Sequence, residues 1–489
     1  MKVKYKLPIG FKDYLVNDCF IKVDVENNII NTFLHHGFLR LDTPSIEYYN
    51  LFSDGVSKVS DDKLFKITDT DGNLLVLRPD MTTPISRIVS TKLDVKTHHK
   101  FCYLGNSFCL KAGSNLDREF TQAGVEVIGK SCAVADAEVI ALAIESLRAT
   151  GLKDFLIDIG QVNFFKGVLK ELNLSEADTL ELIDLIDRKD MLGVQVFVKA
   201  NCLRKNVMDS ILRLPMLFGG VEILDKALTF AHNDLSVNAI NNLKEIYKYL
   251  KSFGLENYIS FDLSLVNNYG YYSGVVYKGL TKYFGAPILS GGRYDELCLS
   301  FDKKIPATGF AIGISNLMSA LKNEGNLPKI PCVDIAVGFC DGVASFAHEY
   351  INYLIGEGFV VDNSFCNTLE DLIEYKKQKK CDKCVFIKNS CKQNVGLPKF
   401  DAILFNGKYE EIKNCDDNMD KQNKNCLVND KNINNESCVV NDKNINNESC
   451  VVNDKNVGDK NISNKNCLVN DKNINNKNNC ACKDEGDAK

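Results

Sequence analysis

The sequence predicts a long region of strands, one hairpin and helices, followed by a small α/β domain and a disordered tail. Three observations carry this. Apolar runs separated by turn residues recur between residues 38 and 317, and at Asp69 to Asn73 an Asp-Gly turn divides two strand-like segments. Beyond Asn326-Leu327-Pro328-Lys329-Ile330-Pro331 the pattern alternates strand, helix and strand, the order of a small, largely parallel α/β unit. From about Asn414 the chain turns to Asn, Lys and Asp, with too few apolar residues to offset chain entropy.

A chain of 489 residues exceeds what one core usually serves, so two or three domains are expected. The apolar fraction of 45% and charged fraction of 25% are those of a globular protein. A net charge of −5 gives no overall footprint for nucleic acid or an anionic membrane. The opening MKVKYKLPIGFKDYL lacks the apolar core of a signal peptide, and no run approaches the length of a membrane span, so a cytoplasmic location is expected. The nineteen cysteines, irregularly scattered, are then expected as reduced thiols. Cys381 and Cys384 form a lone CxxC with no second pair at zinc-binding spacing, so no structural metal is expected.

Taken in order, Phe20, Val23, Ile29, Ile30, Phe33 and Leu34 mark a helix stopped by Gly37, and Phe38 to Leu41 reads as a short strand. Leu64 to Thr68 and Leu74 to Leu77 form a hairpin that delivers Arg78-Pro79-Asp80-Met81-Thr82-Thr83-Pro84. That polar cluster is either a substrate contact or the start of a helix from Ile85, with Thr82 or Thr83 capping it. Phe101 to Leu110 and Thr121 to Ile128 read as paired strands joined by the loop Lys111 to Arg118. On the second, Gln122, Gly124, Glu126 and Ile128 share one face while Val125 and Val127 share the other. Glu126 and Gln122 together either meet an ammonium-bearing ligand or form the wet side of a half-buried sheet. A helix over Ala135 to Thr150, a strand over Phe155 to Ile159 and a mainly helical insertion over about 163–253 follow.

The sheet resumes at Tyr258 to Leu263 and runs through LVNNYGYYSGVVYKGLTKYFGAPILSGGRYDEL, Leu265 to Leu297. Tyr271 and Tyr272 point to opposite faces if the strand of Val275-Val276-Tyr277 begins early enough, and Ser290 to Asp295 reads as a glycine turn bringing backbone close to something bound or packed. A pocket wall and an ordinary hairpin with core tyrosines both fit. Ala307 to Leu317 reads as a strand leading into a helix. The tail repeats CVVNDKNINNES with small changes, placing Cys426, Cys438 and Cys450 at twelve-residue intervals.

LRPDMTTPISR, REFTQAGVEVIG, YYSGVVY, LSGGRYDEL and GFAIGI, in that order, resemble the catalytic core of histidyl-tRNA synthetase over residues 1–325. The resemblance implies an α+β fold, a class II aminoacyl-tRNA synthetase-like antiparallel sheet with flanking helices, with 332–413 a shortened relative of the anticodon-binding domain and 414–489 the tail. It also implies a histidine pocket at Asp80, Thr82, Gln122, Glu126, Tyr271 and Tyr272. These supply acceptors for an ammonium and rings and hydroxyls for an imidazole.

The synthetase's phosphate-facing arginines are missing. Its FRxE is Phe108-Cys109-Leu110-Lys111 here, Asn267 replaces the arginine before the tyrosine pair, and GLERL is Gly313-Ile314-Ser315-Asn316-Leu317. Loss of one such charge commonly costs on the order of a hundredfold in rate, so no adenylate chemistry is expected. Retained pocket and lost ATP machinery are similar to the ATP phosphoribosyltransferase regulatory subunits, non-catalytic paralogues of the synthetase. That resemblance implies no cofactor, a hetero-oligomer with the short-form catalytic subunit, self-association within it, histidine as feedback ligand, and no nucleic-acid or membrane partner. A divergent synthetase using Lys111 or Arg118, and a free-standing histidine sensor, are the competing readings.

Overall fold

The computed structural model describes residues 6–412, apart from 56–57, 95–96, 111–116, 173, 202–207, 209–210, 266–270, 331, 382, 390–399 and 406–408. The repeats of the tail, Asn267 and Lys111 therefore lie outside the described residues. Two compact units form, one from residues 1–336 with 354–362 and 376–382, the other from 337–353, 363–375 and the described residues from 383 onward.

In chain order the strands of the first part are β1 (Leu39–Arg40), β2 (Ile46–Tyr48), β3 (Lys66–Thr68), β4 (Leu74–Leu77), β5 (His99–Phe108), β6 (Glu119–Ile128), β7 (Leu156–Gln161), β8 (Phe218–Gly219), β9 (Ile259–Asp262), β10 (Val275–Thr281), β11 (Phe284–Arg293) and β12 (Ala307–Gly313). Nine of them make one sheet in the order β1-β5-β6-β12-β11-β10-β7-β9-β8. Its middle, from β5 to β7, is antiparallel throughout. Parallel pairing is confined to β1 with β5 and β7 with β9. β2, β4 and β3 form a separate small sheet whose hairpin closes at Asp69, where the carboxylate accepts the backbone N–H of Asp71 and Asn73.

Each face of the large sheet buries a different cluster. Ala123, Val125 and Val127 of β6 join the helices Val16–His35 and Ala133–Ala149 in the main core. The expected N-terminal helix buries Ile21, Val25, Ile29, Ile30 and Phe33, and it leaves Val23 and Leu34 exposed. On the opposite face Met81, with Ile85 and Val89 of the helix Thr82–Lys92 that follows it, packs with Phe101, Tyr103, Ile128, Tyr294 and Leu297, and Tyr271 and Tyr272 lie against them. The two-residue alternation of β6 thus separates a dry core from the face that carries the polar residues.

Helices Val162–Lys170, Glu176–Asp187, Met191–Ala200, Glu222–Leu228 and Asp234–Ser252 occupy the insertion, with β8 reaching the sheet edge. The remaining strands, β13 (Ile335–Phe339), β14 (Val361–Asn363), β15 (Lys383–Asn389), β16 (Phe400–Phe405) and β17 (Tyr409–Ile412), form a sheet in the order β14-β13-β15-β16-β17. It is less parallel than expected, because β15 with β16 and β16 with β17 are antiparallel. The three residues between β16 and β17 are far too few for a parallel crossover.

Candidate functional site

The polar face of β6 opens into a cavity of about 450 Å³. All six residues expected from the sequence line it: Asp80, Thr82, Gln122, Glu126, Tyr271 and Tyr272. Three more converge there that sequence reasoning missed, Tyr103, Tyr294 and Gly309. Two had a legible signal. Tyr103 stands opposite Gly124, on the strand face of Glu126, and Tyr294 belongs to the LSGGRYDEL stretch.

Glu126 is the floor of this cavity, 1% exposed. Its Oε1 accepts the Thr82 hydroxyl at 2.8 Å and its Oε2 the Tyr294 hydroxyl. Burial pushes its pKa up to about 8; the Thr82 and Tyr294 hydrogen bonds oppose that rise, and nearby Asp80 adds to it. This side of the sheet is therefore not the wet one. Gln122 accepts the Ser107 hydroxyl at 3.0 Å, which fixes the orientation of its amide.

The LRPDMTTP segment is a helix start that also lines the cavity, with the capping residue corrected. The helix begins at Thr82, and neither threonine caps it. Asp80 accepts the Thr83 backbone N–H at 2.8 Å and the Thr83 hydroxyl at 3.2 Å. Its carboxyl gains the helix-start donors, and burial still shifts its pKa upward. Capping leaves Thr82 free to turn its hydroxyl into the cavity.

Two expectations for the tyrosine stretch are also corrected. β10 begins at Val275, so Tyr271 and Tyr272 precede it and the two-residue period does not send their rings to opposite faces. Both rings line the cavity, edge to face with centroids 5.0 Å apart, and Tyr271 lies 5.7 Å from Tyr294. Ser290 to Arg293 is no turn: it is the end of β11, paired with β12 throughout and with β10 as far as Gly292. Its glycines serve close approach, since a Cβ at Gly292 would lie 2.8 Å from the Tyr272 ring. Burial holds the pKa of Tyr103, Tyr271, Tyr272 and Tyr294 above the usual phenol value, so their hydroxyls remain protonated.

A second cavity of about 370 Å³ shares Gln122, Ser290 and Ala311 with the first. Cys109 and Asn316, which the resemblance sets against arginines of the synthetase, line it, and Asn316 donates to the Pro287 carbonyl at 2.9 Å. Two arginines near the cavities are committed elsewhere. Arg78 donates to the carbonyls of Asn106, Thr43 and Pro44, and Arg293 to Asp136 and Asp295. Chemically, the first cavity offers two carboxyls, hydroxyls and aromatic edges to a small amine, and the second is lined by one lysine, Lys63, one carboxylate, Asp117, and no arginine among the described residues. Among the described residues no group of three or more His, Cys, Asp or Glu is placed to hold a metal, and no helix is long and apolar enough to cross a membrane.

Residues 10–317 match the family model described as histidyl-tRNA synthetase. The ATP phosphoribosyltransferase regulatory subunit of Acetivibrio thermocellus is 42% identical over 361 residues, covering 73% of this chain and 86% of that protein. That of Clostridium botulinum is 33% identical over 408 residues, covering 83% and 97%. A crystal structure from Bacillus halodurans, described as an ATP phosphoribosyltransferase regulatory subunit/histidyl-tRNA synthetase, superposes with a TM-score of 0.71 at 29% identity, covering 80% of this chain and all of that one. Histidyl-tRNA synthetase from a Nostoc species shares the fold, with a TM-score of 0.70 at 21% identity over 84% of this chain and 97% of that one.

Proposed function

The chain belongs to the ATP phosphoribosyltransferase regulatory subunits, within the histidyl-tRNA synthetase family, and from that membership we propose that it serves the first step of histidine biosynthesis without chemistry of its own. Its partner on this reading is the short-form catalytic subunit, in a cytoplasmic hetero-oligomer that also contains further copies of this chain. Histidine, held by Asp80, Thr82, Gln122, Glu126, Tyr271 and Tyr272, is the feedback ligand. Residues 1–325 form the synthetase-like core and 332–413 a separate small domain.

One observation carries the reading. The amine-binding half of the site is assembled around buried Glu126, while Cys109 and Asn316 stand in the adjoining cavity where phosphate charge would need arginine. Feedback then amounts to a coupling free energy between a pocket in this subunit and turnover in the partner. Histidine-dependent ATP–pyrophosphate exchange by the chain alone is expected to be absent, and size-exclusion chromatography with the catalytic subunit is expected to give a joint peak. Exchange activity without a joint peak would decide for a divergent synthetase. Histidine binding without a joint peak would leave a free-standing sensor.

A further inference from the structure

We propose that an ammonium-bearing ligand enters this cavity in exchange for a proton held by Glu126, so that ligand binding and proton release are one event. The inference rests on the reading of the cavity as a histidine pocket and adds how that pocket is regulated.

The geometry supports it from every side of the carboxyl. The helix start contributes the Thr82 hydroxyl and the Asp80 carboxyl; β5 contributes Tyr103; the segment before β10 contributes Tyr271 and Tyr272; the end of β11 contributes Tyr294. Backbone of Gly309 in β12 closes the remaining side. None of these is a cation. Among the described residues lining the cavity, Lys58 is the one cation, and it is exposed. Arg293, next to Tyr294 in sequence, pairs with Asp136 and Asp295. An ionised Glu126 would therefore be a buried negative charge with hydroxyl donors alone, next to a second carboxyl. Its upward-shifted pKa, about 8, agrees with a carboxyl that is mostly neutral at pH 7 when the cavity is empty.

A ligand ammonium reverses that balance. It brings the missing positive charge to the carboxyl, which favours the ionised form, and the displaced proton leaves to bulk solvent. No bond to the ligand is made or broken. Thr82 and Tyr294 remain donors to the carboxylate, so the same two hydroxyls serve both states.

The test is calorimetric titration of L-histidine into the full chain near pH 7 in two buffers of different ionisation enthalpy. The expected result is a buffer-dependent enthalpy equivalent to release of close to one proton per site, with that dependence gone in Glu126→Gln. Subtracting the variant also removes any protonation change of the ligand itself. Buffer-independent heats for the unsubstituted chain overturn the inference and leave histidine binding intact, whereas absence of saturable binding overturns the reading beneath it as well. For a variant too weak to titrate, the unsubstituted chain decides: affinity rising roughly eightfold from about pH 6.5 to 7.5 supports the exchange, and flat affinity overturns it.

Discussion

Gly309 and Glu126 face each other across β12 and β6 so closely that a Cβ on the glycine would lie 1.8 Å from Glu126 Oε2. The glycine is thus the space the carboxyl occupies. Gly309→Ala forces the carboxyl or the strand to move, and the second obstacle is backbone, since the same Cβ would meet the Val125 carbonyl at 2.3 Å. Overpacking of this kind costs about 1–3 kcal/mol. The expected result is a lower unfolding midpoint together with loss of histidine binding, read by thermal unfolding and by equilibrium dialysis.

Stability should depend on pH through the same carboxyl. With a folded pKa of about 8 against an ordinary value of 4.5, the native state keeps a proton that the unfolded chain releases. Below the unfolded pKa the group costs nothing; as pH rises toward 8 it progressively disfavours folding. Glu126→Gln removes that burden, worth up to roughly 3 kcal/mol between pH 5 and 7. The variant should therefore gain stability relative to the unsubstituted chain as pH increases over this window, in denaturant melts at several pH values. A constant difference would contradict the assignment.

Tyr272→Ala removes a ring packed edge to face on Tyr271 and over Gly292, at the rim of the second-face cluster rather than in the main core. Histidine affinity should fall about tenfold or more while assembly with the catalytic subunit persists. Normal affinity in both Tyr272→Ala and Glu126→Ala would place the feedback ligand elsewhere.

Arg293 has the opposite character. It meets Asp136, which is 2% exposed, through two nitrogens and holds the strand end that carries Tyr294. Arg293→Met leaves a buried carboxylate unpaired, for a loss of about 3–5 kcal/mol. Pairing it with Asp136→Asn should recover a measurable part of that loss in chemical denaturation. No recovery would mean that the ion pair is not what the arginine supplies.

The sequence showed most clearly what local period encodes. The alternation of Gln122, Gly124 and Glu126 against Ala123, Val125 and Val127 is the sheet's two faces, and Asp69 to Asn73 is the turn it spells. Long-range clearances were not legible. Nothing near Gly309 announces a carboxyl from residue 126, and nothing near Tyr271 and Tyr272 says that β10 starts three residues later. Asp80 lines the cavity, but its bond to the Thr83 backbone depends on where the helix begins, the feature a sequence pattern fixes least well. The absence of phosphate-facing arginines was legible because it is a matter of residue identity, and the structure adds that Arg78 and Arg293 are held by backbone carbonyls and carboxylates instead.

The central claim is that this chain regulates a partner's catalysis while performing none. Its most direct test is to titrate the chain into short-form ATP phosphoribosyltransferase catalytic subunit and follow turnover, with and without histidine. Turnover should rise to a plateau at saturating chain and fall when histidine is added. Turnover that stays unchanged through a saturating titration would contradict the account.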